Sequence, residues 1–167
     1  MPETILSPRA PEPVGAYPHA KRVGNLLFLS GIGPRKRDSH DIPGVTLDAA
    51  GKVAAYDIVA QCLSVFENIR LILEDAGSSW ANIVDVTVFL TSMKDFATYN
   101  RVYAEHFAGP GKPNPTRTTV EVNALPTAIA IELKVVATIP ERTKKSGPAR
   151  QPAGRRARGS RARKPAR

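Results

Sequence analysis

Cysteine is nearly absent from this sequence: Cys62 is the only one in 167 residues. No intrachain disulfide can form, and no CxxC metal knuckle exists. The three histidines, His19, His40 and His106, have no ligand spacing, so no metal site is expected. No apolar run approaches the roughly 20 residues of a membrane span. Met1 to Pro13 holds four prolines and no hydrophobic segment, unlike a secretory signal. The sequence also lacks a Walker loop, a dinucleotide fingerprint, an HExxH pair and a Ser-His-Asp arrangement, so no cofactor is expected. These absences together read as a soluble cytoplasmic protein without disulfide, metal or membrane anchor.

Acidic residues are missing from one end only. Residues 140–167 contain 11 basic side chains and a single acid, Glu141, for a net charge of +10. Residues 1–139 carry 13 basic and 14 acidic groups, a net of −1, so the overall +9 belongs to an appendix. A domain over 1–139 is long enough to bury a real core. Four prolines, three glycines and no aromatic residue make 140–167 a disordered basic tail, able to touch polyanions nonspecifically but without the aromatic platforms that stack bases.

Within the domain, the prolines at 8, 11 and 13 predict an extended lead-in rather than a helix. His19–Val23 and Leu26–Leu29 read as strands around Gly24-Asn25, the second buried on both faces because Leu-Leu-Phe-Leu does not alternate. Val45–Leu47 and Lys52–Ala54 are short strand pieces. Val59, Cys62, Leu63, Phe66, Ile69 and Leu73 recur at helical spacing and predict a helix from about 57 to 76, with Asp57 as N-cap, Gly77 beyond its end, and Gln61, Glu67, Arg70 and Glu74 on the outer side. Val84–Leu90 is a strand, Met93–Phe107 a second helix with Phe96, Tyr99, Val102, Tyr103, His106 and Phe107 inward, and Thr116–Val122 and Ala128–Thr138 the last strands. This order predicts an α+β fold in which one sheet is covered by both helices on one face. Glu132 and Lys134 then fall on the other face, which calls for solvent, a partner subunit or a role.

Three features could carry chemistry. Arg117 lies among Thr116, Thr118 and Thr119 at a strand start, and is either a structural ion pair or a bidentate carboxylate ligand. Glu132 interrupts an apolar strand; it either faces solvent or is a partly buried acid able to move a proton. Arg35-Lys36-Arg37 follows Gly31-Ile32-Gly33-Pro34, and is either a solvated loop or an anion-attracting one.

Read together, Gly15-Ala16-Tyr17, Leu29-Ser30-Gly31, Ala76-Gly77-Ser78, Val86-Thr87-Val88-Phe89-Leu90, Asp95-Phe96, Asn100, Tyr103, Phe107, Arg117-Thr118-Thr119-Val120, Leu125-Pro126 and Ile131-Glu132 resemble the RidA/YjgF family of enamine/imine deaminases. The likeness covers about Ala10 to Ile139. Ile32 and Thr119 depart from the pattern, where the family tends to have Gln and often Cys. Tyr17-Pro18-His19-Ala20, Ser30 to Lys36, Asp41-Ile42-Pro43-Gly44, Ser78-Ser79-Trp80 and Ala130 to Lys134 are similar to bacterial 2-aminomuconate deaminases. The resemblance implies a chorismate-mutase-like mixed sheet with two helices on one face, a barrel-like homotrimer, and clefts between subunits. It implies cofactor-free hydrolytic deamination of a small enamine/imine acid, with Arg117 on the substrate carboxylate and Glu132 near the attacking water. Tyr17, Ser30, Gly31, Asn100 and Thr119 would complete the pocket. Arg35 or its loop would meet a second carboxylate, as in 2-aminomuconate. Two other readings remain open at this point: a general 2-imino acid deaminase, and a non-enzymatic trimeric protein associated with nucleic acid.

Overall fold

The structure, a computed structural model, describes residues 1–39 and 41–140. His40 and the basic tail beyond Pro140 lie outside them. Eight strands and two α-helices run in the order β1 (Glu3–Ile5), β2 (Ala20–Val23), β3 (Leu26–Leu29), β4 (Val45–Leu47), β5 (Val53–Tyr56), α1 (Ile58–Asp75), β6 (Ile83–Leu90), α2 (Phe96–Phe107), β7 (Thr116–Glu121) and β8 (Ile131–Thr138). Six strands form one mixed sheet in the order β1-β2-β3-β8-β6-β7, antiparallel except for the β6–β7 pair. β4 and β5 form a separate hairpin. Both helices cover one face of the sheet, as the α+β reading requires.

Local chemistry accounts for the element boundaries. Asp57 caps α1, its Oδ1 accepting from the backbone N–H groups of Val59 and Ala60 at 2.8 and 3.2 Å. Gly77 takes φ +76° just past the helix, the left-handed position that glycine occupies without strain. The core lies between α1, α2 and the inner sides of β3, β6 and β8. Cys62, Val65, Ile69, Val86, Val88, Ile131, Leu133 and Val135 are all at 0% exposure there.

The extended lead-in is as expected, and within it Glu3–Ile5, between Pro2 and Pro8, pairs with Ala20–Arg22 as an edge strand. Several expectations need correction. β3 is not buried on both faces. Leu27 and Leu29 are buried, while Leu26 and Phe28 are 36% and 39% exposed on the side the helices leave open. Gln61 is inside rather than outside: its Oε1 accepts from the Ala130 N–H at 2.8 Å, a distant partner that periodicity cannot register, while its Nε2 is buried without a partner among the described residues. Leu63 (46% exposed) and Phe96 (37%) sit at the margins of their helices' inner stripes.

Candidate active site

Glu132 stands near the start of β8, next to Leu133, whose backbone exchanges two hydrogen bonds with Ile32 at 2.8 and 3.0 Å. That bridge draws Gly31 onto the glutamate. A Cβ placed at Gly31 would lie 2.7 Å from Glu132 Cδ, so the close approach depends on glycine. Burial of the carboxyl raises its pKa above the usual carboxylate range. Ser30, one residue earlier, donates through Oγ to the Pro18 carbonyl at 2.7 Å and through its N–H to the His19 carbonyl at 2.9 Å. These bonds hold the Tyr17-Pro18 segment against the end of β3. Tyr17, Ser30, Gly31 and Glu132 line one open cleft of about 470 Å³, together with Lys21 and Lys134. Arg35 lines a smaller groove that shares Tyr17, Ser30 and Gly31 with this cleft, and its Nη2 donates to the Glu12 carbonyl at 2.5 Å.

Arg117 is elsewhere. Register decides its side of the sheet. Arg117 and Thr119 pair with Val86 and Val88 of β6, which are buried beneath the helices. Glu132 pairs with Phe89, the residue of opposite parity. Side chains of adjacent residues in a strand point to opposite faces. Arg117 and Glu132 of one chain therefore lie on opposite faces of the same sheet.

On its own face Arg117 is held by rings rather than by acids. Its guanidinium carbon is 4.5 Å from the Tyr103 ring centroid and 5.6 Å from that of Tyr99. Tyr103 in turn stacks on Phe107 (4.0 Å, 7°), and Phe107 meets Trp80 at 4.5 Å. Among the described residues Arg117 forms no salt bridge. The structural ion-pair reading thus lacks its acid among the described residues, and a guanidinium without one can take a carboxylate. The hydroxyls of Tyr99, Tyr103 and Thr119 are buried beside it with no hydrogen-bond partner among the described residues. Burial pushes the Tyr103 phenol up to about 12 and raises Tyr99 also, against the pull of Arg117. Asn100 is half-buried on α2, three residues before Tyr103 and hence its neighbour on the helix surface.

Two candidate groups thus stand apart in one chain. One is a carboxyl in a cleft on the open face. The other is an uncommitted guanidinium over aromatic rings on the covered face. Sequence reading found every one of these polar residues but missed the aromatic seat, although Tyr99, Tyr103 and Phe107 at helical spacing were visible. It placed Lys134 on the face of Glu132 without a definite role, and it missed Lys21, which only the pairing of strands brings to the cleft. Cys62 is fully buried and burial pushes its thiol up to about 12, as expected of an inert core cysteine. No group of three or more potential metal ligands occurs among the described residues. No helix among them is long and apolar enough to cross a membrane.

Comparison with known proteins agrees with this architecture. The family described as endoribonuclease L-PSP matches residues 7–139. A RutC family protein of Pyrococcus abyssi is 38% identical over 135 residues, covering 81% of this chain and 95% of that protein. The chloroplastic Reactive Intermediate Deaminase A of Arabidopsis thaliana is 31% identical over 137 residues, covering 82% of this chain and 66% of that one. The crystal structure of TdcF from E. coli with bound serine superposes with a TM-score of 0.70 at 32% identity, over 81% of this chain and 98% of TdcF. The chain belongs to the endoribonuclease L-PSP family, the group that includes the RutC and RidA/YjgF proteins.

Proposed function

We propose that this protein is a cofactor-free hydrolase that deaminates a small enamine/imine carboxylic acid, with 2-aminomuconate as the preferred substrate, at sites shared between subunits of a homotrimer. The observation that carries the reading is the opposition of Arg117 and Glu132. Neither half-site is complete in one chain, whereas the open face of one subunit can meet the Arg117 edge of the next. The name of the Arabidopsis relative and the serine held by TdcF support a small amino- or imino-acid ligand. The specific likeness of Ser30 to Lys36 and Ala130 to Lys134 to 2-aminomuconate deaminases supports the dicarboxylate.

In this mechanism Arg117 binds the carboxylate next to the reacting carbon and orients it. The enamine moves a proton from nitrogen to carbon and becomes an imine, which is electrophilic once protonated on nitrogen. Glu132 removes a proton from water as the oxygen bonds to the imine carbon, then returns it to nitrogen. The hydroxyl proton passes to Glu132 as the carbon–nitrogen bond breaks, ammonia leaves, and a 2-oxo acid remains. Tyr17, Ser30 and Gly31 shape the Glu132 side of the pocket, and Asn100 and Thr119 the Arg117 side.

Complementation tests both the residues and the sharing. Arg117→Ala is expected to lower ammonia release roughly 100-fold or more, and Glu132→Gln by on the order of 100- to 10,000-fold. Refolding the two inactive variants together at equal amounts should restore about a quarter of wild-type activity, because that fraction of interfaces in a mixed ring joins an intact Arg117 to an intact Glu132. No recovery would show that one chain supplies both groups.

The family's description favours a second reading, cleavage of RNA. Incubating full-length protein with single-stranded RNA across a salt series separates the two. RNA cleavage abolished by Arg117→Ala, without deamination of any imino acid, would favour the nuclease.

A further inference from the structure

A dicarboxylate needs a second cation. The sequence draws attention to the Arg35–Arg37 loop, but two of its three cations are already engaged. Arg35 Nη2 donates to the Glu12 carbonyl at 2.5 Å. Arg37 donates to the Ala10 carbonyl at 3.0 Å and pairs with Glu12 at 3.1 Å. These contacts tie the proline-rich segment down, with Arg37 ion-paired and Arg35 anchored through one N–H to backbone.

Lys21 and Lys134 are different. Both line the cleft that contains Glu132, both are exposed, and neither forms a salt bridge among the described residues. Lys134 is two residues beyond Glu132 on β8, so it shares the open face at a separation of roughly 7 Å along the strand. Lys21 reaches the same cleft from β2, where it pairs with Phe28, itself paired with Val136 of β8. Two ammonium groups thus share one cleft on the open face with the Glu132 carboxyl. In an extended six-carbon dicarboxylate the distal carboxylate lies four carbon–carbon bonds beyond the imine carbon, a span of the same order as the Glu132–Lys134 spacing.

We infer that Lys134 and Lys21 form a subsite for the distal carboxylate, and that they set the preference for dicarboxylic over monocarboxylic imino acids. The inference rests on the deaminase reading for which end of the ligand is distal. The affinity difference itself can be measured without turnover.

The probes are cis,cis-muconate and sorbate, which share a six-carbon diene and differ by a carboxylate in place of a methyl. Calorimetric titration of the full-length protein should show muconate bound more tightly by about tenfold, the effect of one partly desolvated charge-assisted contact. The double variant Lys21→Gln/Lys134→Met should lose that preference while binding sorbate within about twofold of wild type. Lys134→Arg should keep the preference. If the double variant does not fold, each single variant should lose part of the preference. An undiminished preference in the lysine variants, or an equal loss for both probes, would overturn the subsite. Absence of deaminase activity with an intact, lysine-dependent preference would count against the reaction while upholding the subsite.

Discussion

At the scale of the residue, Glu132 is a carboxyl placed where ionisation is costly. The glycine at 31 allows backbone to press against it, and burial raises its pKa. The sign of the resulting stability term follows from linkage. The folded state holds the Glu132 proton to a higher pH than the unfolded chain does, so unfolding releases protons in the window between the two pKa values. Stability therefore falls as pH rises from the ordinary carboxylate pKa through the raised one, and the penalty is fully present above it. Glu132→Gln removes the penalty without changing shape. Its melting temperature should exceed that of wild type at pH 7, and the two should converge toward pH 4. Thermal scans across that range check the prediction, and a constant difference at every pH would contradict it. Arg117 is the complementary case. Its chemistry was legible as an arginine among threonines, but its seat on Tyr103 was not, because a cation–π contact depends on which helix passes over which strand.

At the scale of the element, α1 was the most legible part of the chain. Its bounds follow from one polar cap and one glycine, both local signals. Asp57→Ala should cost about 1 kcal/mol of unfolding free energy in urea, since two backbone donors lose their acceptor; Asp57→Ser should recover most of it. Other elements escaped local reading for nameable reasons. Gln61 is buried because its amide meets Ala130, 69 positions away. The Glu3–Ile5 strand exists because Ala20–Arg22 offers an edge, and it is secured by contacts no spacing encodes. Ser7 Oγ donates to Asp75 at 2.6 Å, and the Ser7 N–H donates to His19 Nδ1 at 3.0 Å. His19 Nε2 then faces the Pro11 carbonyl at 2.9 Å, so both ring nitrogens serve the N-terminal segment. This accounts for a buried histidine without metal or catalysis. The residue types of the candidate site were likewise readable from sequence, whereas its division between two sheet faces was not. That division is set by register, and register is a pairing between distant segments.

At the scale of the whole molecule, the sheet has a face that none of the described residues covers. Phe28 is 39% exposed there, with Val136 beside it and Glu132 further along β8. Apolar surface of this kind, in the cleft that also holds Glu132, fits a subunit interface better than a solvated face. A substitution at Phe28 tests this directly, because the residue contributes to no buried core in the protomer and its replacement should leave the fold intact. Phe28→Glu places a charge on the open face. If that face packs against a neighbour, sedimentation should show the variant as a single chain of 18.0 kDa where wild type sediments as a trimer. Its far-ultraviolet circular dichroism should match wild type. Deaminase activity should fall with assembly, since Arg117 and Glu132 would no longer meet, and should return in proportion to any trimer that reforms at high protein concentration. A Phe28→Glu protein that stays trimeric would place the interface on another surface. One that becomes monomeric yet keeps full activity would show that a single chain can bring substrate to both faces, and the shared site would have to be abandoned.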